Sequence, residues 1–238
     1  MSYEYPGCAY CPPTIRACRE GDSEKQQPGF CPSKVDEEAI EAAWETYAED
    51  AFVRQVAQAS ALVESEGYCK WTRVEEICAF ARKMGFTKLG IATCISFIDL
   101  AHTLSGILES HGFEVASIAC KNGAICKEKI GLRDEDKITP GQHESMCNPV
   151  SQAEFLNRSG CELNIVLGLC VGHDSLFFRY SKGLATTLVA KDRGPGAQPR
   201  GRAPPGGQLF RARLGSRPAP PQTEETSSED TLKTARFR

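Results

Sequence analysis

The order of apolar and polar positions divides the chain into a helical lead-in and a later alternating region. Over residues 36–66, apolar side chains recur at steps of three and four residues, which is typical of a helix with one buried face. Ile40, Trp44 and Tyr47 lie on this face. The pattern therefore predicts a long helical segment, with a break near Asp50.

A second helix is predicted to begin at Thr72 and to end at Gly85. Thr72 and Glu75 have the spacing of a capping box, and glycine is the usual residue just past a helix end. The apolar positions of this helix place Cys78 on its inward face. We therefore expect Cys78 to be a core residue rather than a ligand.

Strand and helix patterns alternate in the rest of the ordered sequence. Strands are predicted at 88–93, 114–119, 162–169 and 184–190. The helices are predicted at 98–111, from Pro149 up to the stop at Gly160, and at 174–181. Such alternation implies parallel strands joined by right-handed crossovers. The predicted fold is α/β, with a four-stranded, mostly parallel sheet and flanking helices.

The composition is that of an ordinary globular chain, with 41% hydrophobic and 25% charged residues. The net charge of −3 gives no sign of nucleic-acid or membrane binding. No apolar run reaches the roughly 18 residues of a transmembrane helix. The N-terminus shows no basic and apolar leader, so the cytoplasm is the expected compartment.

The ends of the chain differ from its middle. Residues 194–238 are rich in Gly, Pro and Arg and then in Ser, Thr and Glu, without periodicity, which predicts a disordered tail. Residues 1–34 are rich in Pro, Gly and Cys and poor in apolar side chains. The expected organisation is a Cys-rich module at 1–34, a helical lead-in and α/β domain at 35–193, and the tail.

Twelve cysteines are the unusual feature of the composition. Disulfides are rare in the cytoplasm, which leaves metal ligation, redox chemistry or burial as small hydrophobic side chains. Twelve are too many for burial alone. In the N-terminal module, Cys8 and Cys11 form a CxxC pair, and Cys18 and Cys31 follow. A segment without a core needs a metal to hold it, so these four thiols are predicted to bind zinc or an iron–sulfur cluster.

A second set of cysteines follows the predicted strands. Cys94, Cys120 and Cys170 come after the first three strands, and Cys126 and Cys147 lie in the connection after the second. Loops that follow parallel strands emerge at one edge of the sheet, where ligands of open α/β folds bind. The expected ligands of one zinc ion or iron–sulfur cluster at this edge are Cys94, Cys120, Cys147 and Cys170.

Other residues bear on this edge by their position alone. Cys161 precedes a strand and should lie at the opposite edge of the sheet, far from the other thiols. Lys121 and the segment 191–193 follow strands and would complete a site at the carboxyl edge.

The turn after the third strand, Cys170-Val171-Gly172-His173-Asp174, carries a thiol, an imidazole and a carboxylate. Asp174 is expected to be the N-cap of the next helix, whose N-terminus would favour the thiolate of Cys170. In a catalytic interpretation, Cys170 is the nucleophile and His173 its base, with Asp174 beside them. A buried thiol, a satisfied histidine and an ordinary cap explain the same residues, and both interpretations stay open.

Several segments resemble domain-of-unknown-function family 1847, whose members are commonly labelled metal-binding proteins. The likeness rests on ALVESEGYCKWTRVEEI, LGIATC, VASIACK, MCNPVSQAEFLN and NIVLGLCVGHDSLFFRYS, and it covers about residues 8–193. The resemblance implies a prokaryotic cytoplasmic protein that binds metal, without a known reaction. The eight cysteines named above as ligands match the family pattern, as do His173 and Asp174, whereas Cys126 departs from it.

Three functions agree with these features. The first is binding of zinc or an iron–sulfur cluster, with electron transfer or thiol redox chemistry that would need a redox partner protein. The second is a thiol-dependent enzyme that acts on a small molecule. The third is a zinc-stabilised module that binds another protein.

Overall fold

The computed structural model describes residues 6–15, 17–21 and 27–193, and the tail predicted for 194–238 lies outside these ranges. The helices are α1 (Ala17–Glu20), α2 (Pro32–Val35), α3 (Glu37–Glu49), α4 (Ala51–Gly67), α5 (Arg73–Met84), α6 (Ile98–Ser110), α7 (Pro149–Arg158) and α8 (His173–Tyr180). The strands are β1 (Lys88–Thr93), β2 (Glu114–Ala119), β3 (Leu163–Leu167) and β4 (Leu184–Val189).

The four strands form one all-parallel sheet in the order β2-β1-β3-β4. Strand β1 lies in the centre, where Ile91 pairs in register with Ser117 of β2 and Ile165 of β3. The predicted α/β fold with a four-stranded parallel sheet and flanking helices is confirmed, and β1 and β2 have the predicted bounds. The carboxyl ends of all four strands therefore meet at one edge of the sheet.

Helices cover both faces of the sheet. Helices α5 and α6 pack on one face, where Leu104 and Leu108 join Ile91 of β1 in one apolar cluster. Helices α7 and α8 pack on the other face, and Phe177 belongs to the cluster that contains Ala92. Successive side chains of a strand lie on opposite faces of the sheet, so those of β1 belong in turn to two separate apolar cores. Cys78 is 1% exposed within the first cluster, which confirms the prediction of a core residue.

The helical lead-in divides at the predicted place. Asp50 separates α3 from α4, and its carboxylate accepts hydrogen bonds from the Phe52 and Val53 amides at 2.8 and 3.1 Å. The predicted buried face of α3, however, is wrong. No residue of α3 is buried, and Trp44 is 69% exposed. Helix α3 packs chiefly against the short α2 and against α4 rather than on the sheet, so its apolar side chains are not covered by the core.

A cationic side chain organises the long connection between β2 and α7. The side chain of Lys137 is 3% exposed, and its Nζ lies 2.6 Å from Asp134 and 2.8 Å from Glu128. The same amine donates to the Gln142 carbonyl at 2.6 Å. Asp134 and Glu128 raise the pKa of Lys137, so the amine stays charged. This charged cluster holds the connection together, although the connection itself contains only short turns.

Replacing Lys137 with methionine should loosen the connection locally. The variant keeps the buried side-chain volume but leaves two carboxylates and a carbonyl without their shared donor. We expect faster amide hydrogen exchange across 126–145, with unchanged exchange in β1 and β3, measured by mass spectrometry. Lys129→Met, which neutralises an exposed lysine of the same connection, is the control. Wild-type exchange in Lys137→Met would show that other contacts hold this segment.

Candidate metal centre

The first two thiols of the site are fixed by the ends of β1 and β2. Cys94 follows β1, and its amide donates to the Leu167 carbonyl of β3 at 3.0 Å. Cys120 follows β2, and its amide donates to the Thr93 carbonyl at 2.9 Å. Both side chains are buried, with 3% and 2% exposure. The sheet ladder therefore continues for one residue beyond the strands and positions both sulfurs at the carboxyl edge.

Cys147 joins them although it is distant from Cys120 in sequence. The amide of Asn148 donates to the Cys120 carbonyl at 2.7 Å, which returns the chain to the sheet edge. Asn148 also caps α7, because its side chain accepts from the Ser151 amide at 3.1 Å. The start of α7 and the end of β2 are therefore tied together, with Cys147 next to this junction.

A buried amide that sequence reasoning missed reinforces this junction. The side-chain nitrogen of Gln152 donates to the Thr93 carbonyl at 3.1 Å and to the Ile118 carbonyl at 2.7 Å. Gln152 is fully buried. Its signal in the sequence was a polar side chain on the inward face of α7. It links α7 to the ends of β1 and β2, from which Cys94 and Cys120 emerge.

Cys170 and His173 reach the site through two glycine-dependent turns. Gly168, with φ of 69°, directs the chain out of β3, and a Cβ there would lie 2.6 Å from the ring of Phe97. Gly172, with φ of 83°, is the N-cap of α8. The Cys170 carbonyl then accepts the first amides of the helix, from His173 at 3.0 Å and Asp174 at 3.1 Å.

The prediction that Asp174 caps α8 is wrong. The helix begins at His173, one residue earlier, and Asp174 lies inside its first turn. The carboxylate of Asp174 accepts from the Ser175 amide at 2.8 Å. Because of the tight turn at Gly172, the helix begins one residue earlier than predicted. The carboxylate of Asp174 therefore lies next to His173 in the first turn, not at the N-cap position. The negative charge of Asp174 partly opposes the lowering of the His173 pKa.

Three donor atoms converge at this edge. The Sγ atoms of Cys147 and Cys170 and one ring nitrogen of His173 all lie within 4.8 Å of one another. Burial lowers the pKa of His173, and the charges of Arg193 and Lys121 lower it further. The imidazole is therefore neutral near pH 7, which is the form that binds metal. Its Nδ1 is buried without a hydrogen-bond partner among the described residues.

The other two thiols of this edge lie near the converging group. Cys147 and Cys94 are close enough to Cys120 to shift its pKa. The Ile95 amide also donates to the Cys120 Sγ at 3.3 Å. We call Cys94, Cys120, Cys147 and Cys170 together the sulfur row. That all four bind one metal centre stays a prediction.

Hydrogen bonding makes Cys147 a stronger acid than Cys120. The hydrogen bond from Cys120 and, to a smaller extent, the charge of Lys121 lower the pKa of Cys147 to about 7 against the opposing effect of burial. The same bond, together with burial, raises the pKa of Cys120 well above the usual range of thiols. Near neutral pH, Cys147 is therefore partly ionised, while Cys120 keeps its proton and donates it.

Alkylation of the metal-free protein should reveal this difference. Because only the thiolate reacts, the rate at which iodoacetamide labels Cys147 should rise with pH, with a midpoint near the Cys147 pKa of about 7. Cys120→Ala removes the donor and should move the midpoint of Cys147 to higher pH, by peptide mapping of the labelled protein. Cys78→Ala, which removes a thiol from the other core, should leave the midpoint in place. An unchanged midpoint in Cys120→Ala would contradict the assigned hydrogen bond.

Two cations after β4 each contact one thiol of the sulfur row. Lys191 donates from Nζ to the Cys94 Sγ at 2.9 Å, and Arg193 donates from Nη2 to the Cys170 Sγ at 2.7 Å. The position of segment 191–193 at this edge was expected from the order of strands, but its pairing with particular sulfurs was not.

The other cysteines lie apart from this group. Cys161 is buried immediately before β3, so it lies at the amino edge of the sheet as expected. Cys126 is half-buried within the connection, where it pairs with Ser145 in a single antiparallel bridge. Neither belongs to the converging group of donors that includes Cys147.

Among the N-terminal cysteines, the segments that carry Cys8, Cys11 and Cys31 approach one another, and Cys18 lies in α1. Cys8 and Cys11 flank a single turn in which the Cys11 amide donates to the Cys8 carbonyl at 3.1 Å. Next to Cys31, the Phe30 carbonyl accepts from the Gly7 amide at 3.1 Å. Cys8 and Cys18 are exposed, and Cys11 and Cys31 are half-buried. The four-ligand module at 1–34 stays a prediction.

The fold and the site define a cysteine-rich α/β protein with a Cys/His group that can hold a metal ion. The chain belongs to the family described as "Protein of unknown function (DUF1847)", whose model matches residues 31–188. It is 47% identical over 139 residues to Uncharacterized protein MJ0455 of Methanocaldococcus jannaschii, covering 58% of this chain and 70% of that protein. No solved structure matches the chain. In the described ranges, no helix is long and apolar enough to cross a membrane.

Proposed function

We propose that the chain is a cytoplasmic metal-binding protein whose centre lies at the carboxyl edge of the sheet. The ligands come from the sulfur row, with His173 as a further donor. The observation that carries this proposal is the convergence of Cys147, Cys170 and His173 to within 4.8 Å. Cys147 comes from the connection before α7, whereas Cys170 and His173 share the turn after β3, and the buried Nδ1 of His173 has no hydrogen-bond partner among the described residues.

The donor set decides which metals fit. Thiolates and imidazole suit zinc and iron–sulfur centres, whereas magnesium and calcium need oxygen ligands. Sulfurs that share one tetrahedral zinc lie roughly 4 Å apart, because each Zn–S bond is about 2.3 Å. The spread of 4.8 Å is closer to this value than to the wider spacing around a cluster. The geometry thus favours zinc, with an iron–sulfur cluster as the alternative.

The chemistry of the bound centre depends on which metal it is. Zinc would stabilise the loops or polarise a bound ligand, and a cluster would transfer electrons to a redox partner protein. In either case Cys147, Cys170 and His173 would hold the centre, and Cys120 and Cys94 lie next to them as further thiol donors. The module with Cys8, Cys11, Cys18 and Cys31 would hold a second, separate centre.

Metal analysis of the full chain, purified without oxygen, tests this proposal. We expect zinc or iron in the protein, and the visible spectrum separates a coloured cluster from colourless zinc. To count the sheet-edge centre alone, the analysis is repeated in a chain with Cys8→Ser and Cys11→Ser. A protein that carries neither metal, and that does not take up zinc after reduction, would refute the proposal.

The second candidate is a thiol-dependent enzyme that acts on a small molecule. The observation that favours it is the lowered pKa of Cys147, about 7, beside a neutral imidazole. Cys170 and His173, with Asp174 in the first turn of α8, are the residues that the sequence suggested for this role. Metal analysis separates the two candidates, because an enzyme of this kind would keep its thiols free and react with alkylating reagents as purified.

A further inference from the structure

Two thiols of the sulfur row each contact a cation. Lys191 contacts Cys94 at 2.9 Å, and Arg193 contacts Cys170 at 2.7 Å. Both sulfurs are buried, with 3% and 7% exposure. Both contacts are partly buried, and at these distances each is a hydrogen bond from a charged donor.

The segment that carries both cations is anchored to the sheet. The Gly168 amide, at the end of β3, donates to the Val189 carbonyl of β4 at 2.8 Å, two residues before Lys191. The Lys191 amine also lies 5.6 Å from the centre of the Phe97 ring, in a cation–π contact. The amine is therefore held between an aromatic face and a sulfur.

The negative charge of metal-bound thiolates gives the two cations a role. A cysteine binds metal as its thiolate, so each sulfur that joins the centre brings a negative charge into a buried site. Buried charges are costly unless they are paired and hydrogen-bonded. Lys191 supplies a positive charge and a donor to the Cys94 sulfur, and Arg193 does so for Cys170.

We propose that Lys191 and Arg193 are positioning residues that offset the thiolate charge of Cys94 and Cys170 and orient these two sulfurs toward a divalent metal. This inference rests on the proposed metal centre and specifies how the charge of its sulfur ligands is balanced. Residues of this kind, which contact ligands and not the metal, commonly change metal affinity by about 10- to 100-fold.

The primary test measures zinc affinity in the full chain with Cys8→Ser and Cys11→Ser, by competition with a chromophoric chelator. Lys191→Met and Arg193→Met keep much of the side-chain length but remove the charge and the donor. Each should weaken zinc binding about 10- to 100-fold. Lys191→Arg and Arg193→Lys retain a cationic donor and should recover most of the affinity, which a purely structural role would not require.

The control variants remove the same charges elsewhere. Lys182 precedes β4 at the amino edge, and Arg179 lies near the carboxyl end of α8, and both side chains are exposed. Lys182→Met and Arg179→Met should bind zinc like the parent. Equal zinc affinities in Lys191→Met, Arg193→Met and these controls would overturn the inference while leaving the metal centre intact.

A metal-free arm keeps the inference testable if the parent binds no zinc. In chelator-treated protein, a double-mutant cycle compares the denaturation midpoints of Lys191→Met, Cys94→Ala and the variant that carries both changes. A control cycle uses Lys182→Met in place of Lys191→Met. A direct contact makes the two effects non-additive, whereas distant residues add. Absence of zinc binding would refute the proposed function, and additive effects of Lys191→Met and Cys94→Ala would separately refute the pairing.

Discussion

Removing the thiol of Cys170 should abolish metal binding at the sheet edge. In a chain with Cys8→Ser and Cys11→Ser, we expect the further change Cys170→Ala to reduce the metal content to nearly zero. Inductively coupled plasma mass spectrometry measures this content. Cys170 is 7% exposed and is one of the three donors within 4.8 Å of one another. Its loss leaves Cys147 and His173 as the two remaining members of this group, and Cys94 and Cys120 lie outside it, so a tetrahedral site cannot close without rearrangement.

Cys161→Ala is the matched control for this experiment. Cys161 is also buried, with 5% exposure, and belongs to the same apolar cluster as Cys170's neighbour Leu169. Both variants remove one buried thiol and create a cavity of the same size, but Cys161 lies before β3 and Cys170 after it. Metal content should therefore stay at the parent value in Cys161→Ala. Equal loss in both variants would indicate damage to the fold rather than removal of a ligand.

The sheet and its helices could be predicted because each local signal agrees with the global fold. The run from Lys88 to Thr93 is apolar and bounded by turn residues, and it is buried on both faces as a central parallel strand must be. The capping box of Thr72 and Glu75 formed, and Gly85 ended the helix in the left-handed conformation. In these elements, sequence pattern and tertiary packing favour the same structure.

Predictions failed where one signal allowed two outcomes. The apolar stripe of α3 has the helical period, but a period does not say whether another element covers the stripe, and Ile40 is 47% exposed. Asp174 follows a glycine turn at the end of a strand, and the backbone at Gly172 determined that the helix begins one residue before the carboxylate. Propensity alone could not resolve a shift of a single residue.

The site was predictable in its location but not in its details. Chain order and the parallel sheet were enough to expect Cys94, Cys120, Cys147 and Cys170 at one edge. The position of Cys147 next to Cys120 depends on hydrogen bonds between distant segments, such as that from the Asn148 amide to the Cys120 carbonyl. Sequence spacing contains no information on such bonds, nor on the pairing of individual cations with individual thiols.

Truncation of Phe177 should cause a large loss of stability. Phe177 is fully buried and belongs to the apolar cluster beneath the site, which also contains Val166 and Leu169. Replacing a buried phenylalanine with alanine removes its transfer free energy and leaves a cavity, at a typical cost of about 3–5 kcal/mol. This is a large fraction of the roughly 5–15 kcal/mol that stabilises most domains.

Phe178→Ala provides the comparison within the same helix. Phe178 stacks edge-to-face on Phe177 with ring centres 6.3 Å apart, but it is 40% exposed. Its truncation should therefore cost clearly less, because solvent already covers part of the ring. Urea unfolding of both variants after metal removal gives the two free energies at comparable m-values. Similar losses of stability in the two variants would show that the buried face of α8 lies elsewhere. Because α8 begins at His173, right after the turn that carries Cys170, Phe177→Ala should also weaken zinc binding.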